Sequence, residues 1–460
     1  MRKQLLLAAI LLTSIKGFAG SIDYLSQQDA EYFAHPSMTG KIGVSGAYYN
    51  PAGTAFMEDG TYMQVNNQTH FKTYKMKVDG ETFKSDKPSP IIPSIQIVKV
   101  DNGRSYFFHG GAIAGGGNVA YEGGLGMFKV MENMLNEGLN KQAIEIAKKT
   151  KQNLNLPSNF KPIQFTGGNT VKGSSYYVTL QGGVAQKIND HWSAAFALRY
   201  VNAERKLKGV GNYSLTAPNY DKNFNMIGIT HANPRFDINS ERTAQGVNGI
   251  FGLNYNNDKL NVGLRYETET RLNFKTKEKN LKSFASSFGN TNPIIAAGII
   301  DKITNNQNVK EWTNGAKGKR NLPAMASIGA SYAITEKTTL LTSGNYYFIK
   351  EAGDSFGAYD GYHNGYEVAF GIDHKLNEKW TLMGGYQYTN TGANKHTYKD
   401  TDYALDADMF GLGVKYQYSP NLSLMATGAT VVYHSATSVT NVTYSKHVYS
   451  MGLGATYKFN

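Results

Sequence analysis

The C-terminal residues of this chain alternate strictly between two kinds of side chain. Tyr449, Met451, Leu453, Ala455, Tyr457 and Phe459 share one face of an extended segment, and Ser450, Gly452, Gly454, Thr456 and Lys458 share the other. Strand side chains point to opposite faces with period two, so one face is apolar with aromatic ends while the other is small and polar. Lipid on one side and a polar lumen on the other would select that pattern, as would one half of a soluble sandwich. The rest of the chain decides between them. The pattern recurs upstream, giving strands over 61–74, 91–100, 104–120, 172–188, 192–204, 244–255, 260–274, 322–333, 338–350, 364–376, 380–389, 405–418, 422–433 and 447–459. The clearest outward faces are Trp192, Ala194, Phe196, Leu198 and Tyr200; Tyr366, Val368, Phe370 and Ile372; and Phe410, Leu412, Val414, Tyr416 and Tyr418. A tilted strand of about ten residues crosses a bilayer.

The links between strands carry equal weight. Asp101-Asn102-Gly103, Asn189-Asp190-His191, Asn256 to Lys259, Ile334 to Lys337, Asn377 to Lys379 and Ser419-Pro420-Asn421 are tight turns, each after an even-numbered strand. From the third strand on, links after odd-numbered strands are long. Short turns at one rim and long loops at the other predict a closed, antiparallel, transmembrane barrel of the all-β class with fourteen strands and both termini at the short-turn rim.

Met1 to about Ala19 has the three regions of a secretory signal: Arg2 and Lys3, the apolar Leu5 to Leu12, and the small-x-small Gly17-Phe18-Ala19. No later run reaches the roughly 18 apolar residues that a membrane helix needs. The chain has no cysteine, which excludes disulfides, thiolate metal sites and cysteine nucleophiles. Its formal charge of +12 becomes +9 without Arg2, Lys3 and Lys16, and the cations are scattered among 31 tyrosines and 49 glycines. Without a basic patch, nucleic acid is not an expected partner. The histidines lack metal-ligand spacing, no nucleotide or hydrolase motif appears, and neither cofactor nor metal is expected.

Two long loops carry apolar residues. Phe128 to Lys151 has Val130, Met131, Met134, Leu135, Leu139, Ile144 and Ala147 at near-helical spacing, and Asn292-Pro293 leads into Ile294, Ile295, Ile299, Ile300 and Ile303. Short helices in extracellular loops are expected there. They either cover the barrel mouth or form a groove where a greasy ligand lands, and the two roles are compatible.

Residues 20–60 lack the alternation and are too few for a separate domain, so an N-terminal hatch inside the barrel of residues 61–460 is the economical arrangement. Within them stands Tyr48-Tyr49-Asn50-Pro51-Ala52-Gly53. With the glycine-broken third strand Gly110-Gly111-Ala112-Ile113-Ala114-Gly115-Gly116-Gly117, Gly263-Leu264-Arg265-Tyr266 and Leu322-Pro323-Ala324, this chain resembles the FadL/TodX (OmpP1) family of outer-membrane transporters of long-chain fatty acids and aromatic hydrocarbons. The resemblance covers the mature chain in order. It implies a hatch carrying Asn50, Pro51 and Ala52, passive capture of a hydrophobic ligand at the loops, transfer to a lumen pocket, and lateral exit into the outer-membrane lipid at Gly115, Gly116 and Gly117. The implied ligand is a long-chain fatty acid or another hydrophobic small molecule, and the expected unit is a monomer.

By strand parity Arg199, Arg205, Arg265 and Lys415 point inward, where Glu204, Glu267 and Asp373 are available partners. The alternative is a carboxylate clamp, for which the guanidinium fork is suited. In the family a basic residue near the outer end of the fifth strand plays that part, and Arg205 is the nearest match to it, while the family's second pocket cation has no counterpart, since 351–365 holds no Lys or Arg. Ligand contacts are therefore expected from Arg205, Arg199, Arg265, Met131, Met134, Leu135, Ile295 and Ile299. A diffusion porin or a surface adhesin, its loops open to a host receptor, is the alternative function; a barrel enzyme would need a facing catalytic set that the motifs do not supply.

Overall fold

The computed structural model describes residues 27–130, 132, 133, 136, 137, 141, 164–220, 226–233, 235–278, 311–400 and 403–459. The leader and the loop positions Met131, Met134, Leu135, Ile295 and Ile299 lie outside these residues.

Fourteen antiparallel strands form the wall: Gly60–Val78, Ser89–Asp101, Arg104–Tyr121, Gln164–Lys187, Trp192–Tyr220, Arg235–Asn256, Leu260–Glu267, Met325–Ala333, Thr338–Tyr347, Gly365–Lys375, Trp380–Asn390, Ala407–Ser419, Leu422–Tyr433 and Thr443–Phe459. The first pairs with the fourteenth from Thr61↔Phe459 to Lys77↔Thr443, which closes the barrel and removes its edges. Phe196, Leu198, Phe370, Leu412, Met451 and Leu453 are exposed on its outer surface, as alternation requires of a wall that faces lipid.

Most of the short turns are set by asparagine; Thr335 Oγ1 does the same work between the eighth and ninth strands, accepting from Lys337 and Thr338 N–H. Asn102 and Gly103 have φ of 49° and 73°, the left-handed pair that a two-residue hairpin needs. Elsewhere one asparagine carbonyl accepts the N–H groups two and three residues on: Asn189 from His191 and Trp192, Asn257 from Lys259 and Leu260, and Asn377 from Lys379 and Trp380.

Two parts of the wall depart from the alternation. The fourth, fifth and sixth strands run for 24, 29 and 22 residues, well beyond a bilayer crossing, with the ladder continuing through pairs such as Val210↔Asp237. Past the membrane no lipid selects an apolar face, so alternation fades while hydrogen bonding continues. The seventh strand, expected to run through 260–274, stops at Glu267 and resumes as Asn273–Glu278. Between them Glu269 accepts from Gly353 N–H and the Asn321 amide at 2.6 and 2.8 Å, and Asn321 accepts from Leu272 N–H at 2.9 Å. These side chains supplement a ladder reduced there to the Thr270↔Leu322 bridge and a few isolated backbone bonds.

The segment from Gln27 to Met57 contains three short turns of 3-10 helix, Glu31–Phe33, Val44–Ala47 and Ala52–Phe56, and is almost wholly buried. It bonds to the wall in every direction. Ala30 N–H donates to Asn66 on the first strand, the Gln28 amide to Ala112 O on the third, Thr39 N–H to Ser343 on the ninth and the Tyr32 hydroxyl to Gln387 on the eleventh. Only a segment inside the lumen reaches all of them.

Candidate ligand cavity and wall seam

Asn50, Pro51 and Ala52 dock this inner segment. Asn50 donates to Asn254 at 2.7 Å and accepts from Gly53 N–H at 3.1 Å, so one side chain both ties the sixth strand and caps the turn. Pro51, with φ of −56°, opens the 3-10 turn without a donor to satisfy, and Ala52 O accepts from the Ser193 hydroxyl at 2.7 Å. Gly263 faces this docking site, where a methyl would meet Thr39 O and the Asn50 amide.

Arg199 and Arg265 lie beside it. Arg199 is fully buried and forks onto Glu267 at 2.5 and 2.9 Å while also bonding Gln181. Arg265 donates to Tyr48 O at 2.5 Å and stands 3.4 Å from Glu267. Both guanidinium groups lie over the Tyr48 ring, at 5.0 and 4.6 Å from its centre. One carboxylate thus serves two arginines at a joint between the wall and the inner segment.

A second ionic cluster joins Glu31, His35 and Lys41 of the inner segment to Asp373 and Lys415 of the wall. Glu31, His35 and Asp373 converge closely enough to hold a cation, but the Lys41 ammonium already bridges Glu31 and Asp373, the latter at 2.7 Å. Burial alone would raise the Glu31 carboxyl, yet Lys41 and Lys415 outweigh it and hold the group down at about 2.

Arg205 is buried with its guanidinium over Phe274 and Trp312, at 6.0 and 5.7 Å, and faces Arg242 across the ladder. Arg242 pairs with Glu311. Glu204 points the other way and pairs with Lys206 at 2.7 Å, so it is not the lumen partner expected for Arg205.

A cavity of about 180 Å³ lies against the inner segment. Tyr32, Phe33, Ile92, Ile349, Leu405 and Met409 contribute apolar surface, and Lys72, Lys446, His70 and Glu367 contribute charge-bearing groups. Glu367 is held by donors from Tyr347 and Asn345 at 2.7 and 2.8 Å. Lys446 rests over the rings of Tyr403, Tyr74 and Tyr433 at 4.6, 5.1 and 5.6 Å.

Gly115 and Gly117 line the same cavity, and there the wall is unzipped. The ladder between the second and third strands runs only from Asp101↔Arg104 to Ile95↔Gly110. Beyond it the second strand carries Pro90 and Pro93, which have no N–H to donate. On its other side the third strand keeps the fourth but slips register between Ala112 and Ala114 and again before Gly117. Gly115 has φ of 103° and Gly117 φ of 67°, a left-handed backbone that admits a side chain only under strain. This length of wall is a seam closed by side chains rather than a ladder.

Parity made the inward arginines visible in the sequence. Lys72 and Lys446 were missed: both occupy the inward register of their strands, but Lys446 precedes the expected 447–459, and the importance of both comes from a cavity assembled from distant segments.

Comparison with known proteins places this geometry. Residues 33–459 match the family described as outer membrane protein transport protein (OMPP1/FadL/TodX). A solved FadL homologue of Pseudomonas aeruginosa superposes with a TM-score of 0.64 at 15% identity, covering 96% of this chain and 100% of that one. The toluene transporter TodX of P. putida gives 0.57 at 11% identity, covering 91% and 94%, and the toluene transporter TbuX of Ralstonia pickettii gives 0.56 at 14% identity, covering 97% and 99%. No curated relative matches.

Proposed function

This chain belongs to the OMPP1/FadL/TodX family of outer-membrane transport proteins, and from that premise we propose that it admits long-chain fatty acids, without energy input, by lateral release into the outer membrane. The observation that carries this reading is a single cavity that combines apolar walls with Lys72 and Lys446 and borders the unzipped seam at Gly115 and Gly117. Returning an acyl chain to water costs about 0.8 kcal/mol per methylene. A wall exit lets the chain pass from apolar cavity to apolar bilayer without that exposure. A buried ammonium such as that of Lys72 burdens a site for neutral hydrocarbons and favours one for carboxylates.

In this reading Met131, Met134, Leu135, Ile295 and Ile299 form the landing groove, and Gly115, Gly116 and Gly117 form the exit. Arg205 is a clamp on the way in, and Arg199 and Arg265 anchor the hatch through Glu267 and Tyr48. Labelled palmitate taken up by cells that lack their own transporter, with no sugar-driven swelling of proteoliposomes, is the expected result. Sugar permeation without palmitate uptake would support a diffusion porin instead.

A second reading, monoaromatic hydrocarbons, is favoured by the cavity's size. A volume of about 180 Å³ is close to the roughly 150 Å³ of an engineered cavity that binds benzene. TodX and TbuX are described as toluene transporters. Toluene uptake without palmitate uptake would select this reading.

A further inference from the structure

Lys72 stands where the first strand loses its neighbour. The ladder to the second strand ends at His70↔Ser89, and pairing resumes at Tyr74↔Ser85 with the short strand Glu81–Ser85. Between these pairs the Lys72 side chain turns inward, is buried, lines the cavity, and donates through Nζ to Asn118 O of the third strand at 3.2 Å. Gly117 makes room for it: a methyl there would sit 3.1 Å from Lys72 Nζ and 2.8 Å from Ser89 Oγ. Another bond that crosses the seam runs from Ala120 N–H to Ser85 Oγ at 2.8 Å.

We propose that Lys72 is the latch of the seam and that an anionic head group in the cavity releases it. The inference rests on the fatty-acid reading above and deepens it. An ammonium bonded to a neutral carbonyl gains more from a carboxylate, because hydrogen bonds with both partners charged are shorter and stronger. A carboxylate entering the cavity therefore draws Nζ from Asn118 O and leaves the seam to the Ser85 bond. An ester or an alkane makes no such exchange. Lys446 stays in place over its tyrosine rings and keeps a fixed positive charge beside the head group.

The test compares uptake of labelled palmitate and methyl palmitate by cells producing wild type, Lys72→Met or Lys72→Arg, with folding checked by heat-modifiable migration. Wild type should favour the acid by about tenfold or more, the scale of one hydrogen bond to a charged group. Lys72→Met keeps the apolar stem and should bring the ratio to about one; Lys72→Arg should preserve the preference. An unchanged ratio in folded Lys72→Met overturns the latch. Amide exchange on purified wild type gives an arm that needs no variant: palmitate should speed exchange over residues 111–121 and methyl palmitate should not, and equal effects overturn the proposal. Wild type that takes up neither compound removes the fatty-acid reading, and the latch with it.

Discussion

Glu267 is the carboxylate on which two buried arginines depend, and its removal is the sharpest test at the scale of single residues. Glu267→Gln should leave Arg199 and Arg265 without a counter-charge and cost about 3–5 kcal/mol, the usual penalty for breaking a buried pair. The temperature at which the heat-modifiable band disappears should fall clearly, and an unchanged midpoint would show that the cluster is not structural. In the loops, Asp400 accepts from Met127 N–H at 2.6 Å and from the Tyr444 hydroxyl at 2.7 Å. Burial outweighs those two bonds and pushes its carboxyl up to about 6. A raised acid favours the protonated, packed state, so its contribution is complete below the ordinary carboxylate value of 3.8 and is lost as pH rises through about 6. Amide protection over 126–130, corrected for intrinsic exchange, should therefore fall between pH 5 and pH 7.5, and Asp400→Asn should flatten the profile. Parity alone exposed Arg199, Arg205 and Arg265 as inward. It could not show that Arg205 faces Arg242 and two aromatic rings, because those neighbours come from another strand and a distant loop.

Among the elements, the turns were the most legible. Asn-Gly and Asn-x-x patterns have one local solution, and the asparagine carbonyls at 189, 257 and 377 adopt it. A single cysteine at Asn377 should escape a membrane-impermeant thiol reagent in intact cells, whereas one at His396 in the opposite loops should be labelled; both positions are exposed. Labelling at 377 would invert the orientation. The long fourth to sixth strands were only half visible because the alternation that marks a strand is imposed by lipid and ends with it. The seam was visible in part: the run Gly115 to Gly117 announced an irregular third strand, but the expected second strand ran through Pro93 as if regular, and the loss of pairing depends on register, which is a property of two strands together.

At the scale of the whole molecule, strand number and antiparallel closure follow from period-two patterning and the parity of short links, and an inner segment follows from residues 20–60 being too few and too irregular for wall or separate domain. The cavity does not. Its wall combines residues 27, 32 and 33 with parts of the first three strands and of the ninth to fourteenth, a juxtaposition that no linear pattern encodes. The central claim is that substrate leaves through the seam beside that cavity. A β-carbon at Gly117 would lie 3.9 Å from Ser89 Cβ, within the spacing of a disulfide, and the chain has no other cysteine to interfere. Ser89→Cys with Gly117→Cys should therefore form a staple across the seam on oxidation. Palmitate uptake by the oxidised double variant should fall to the level of cells without the protein and rise on reduction to that of the Gly117→Cys single variant, which shares the strain of a side chain at that left-handed residue, with heat-modifiable migration the same in both states. Uptake that is the same whether the staple is formed or reduced would contradict lateral release.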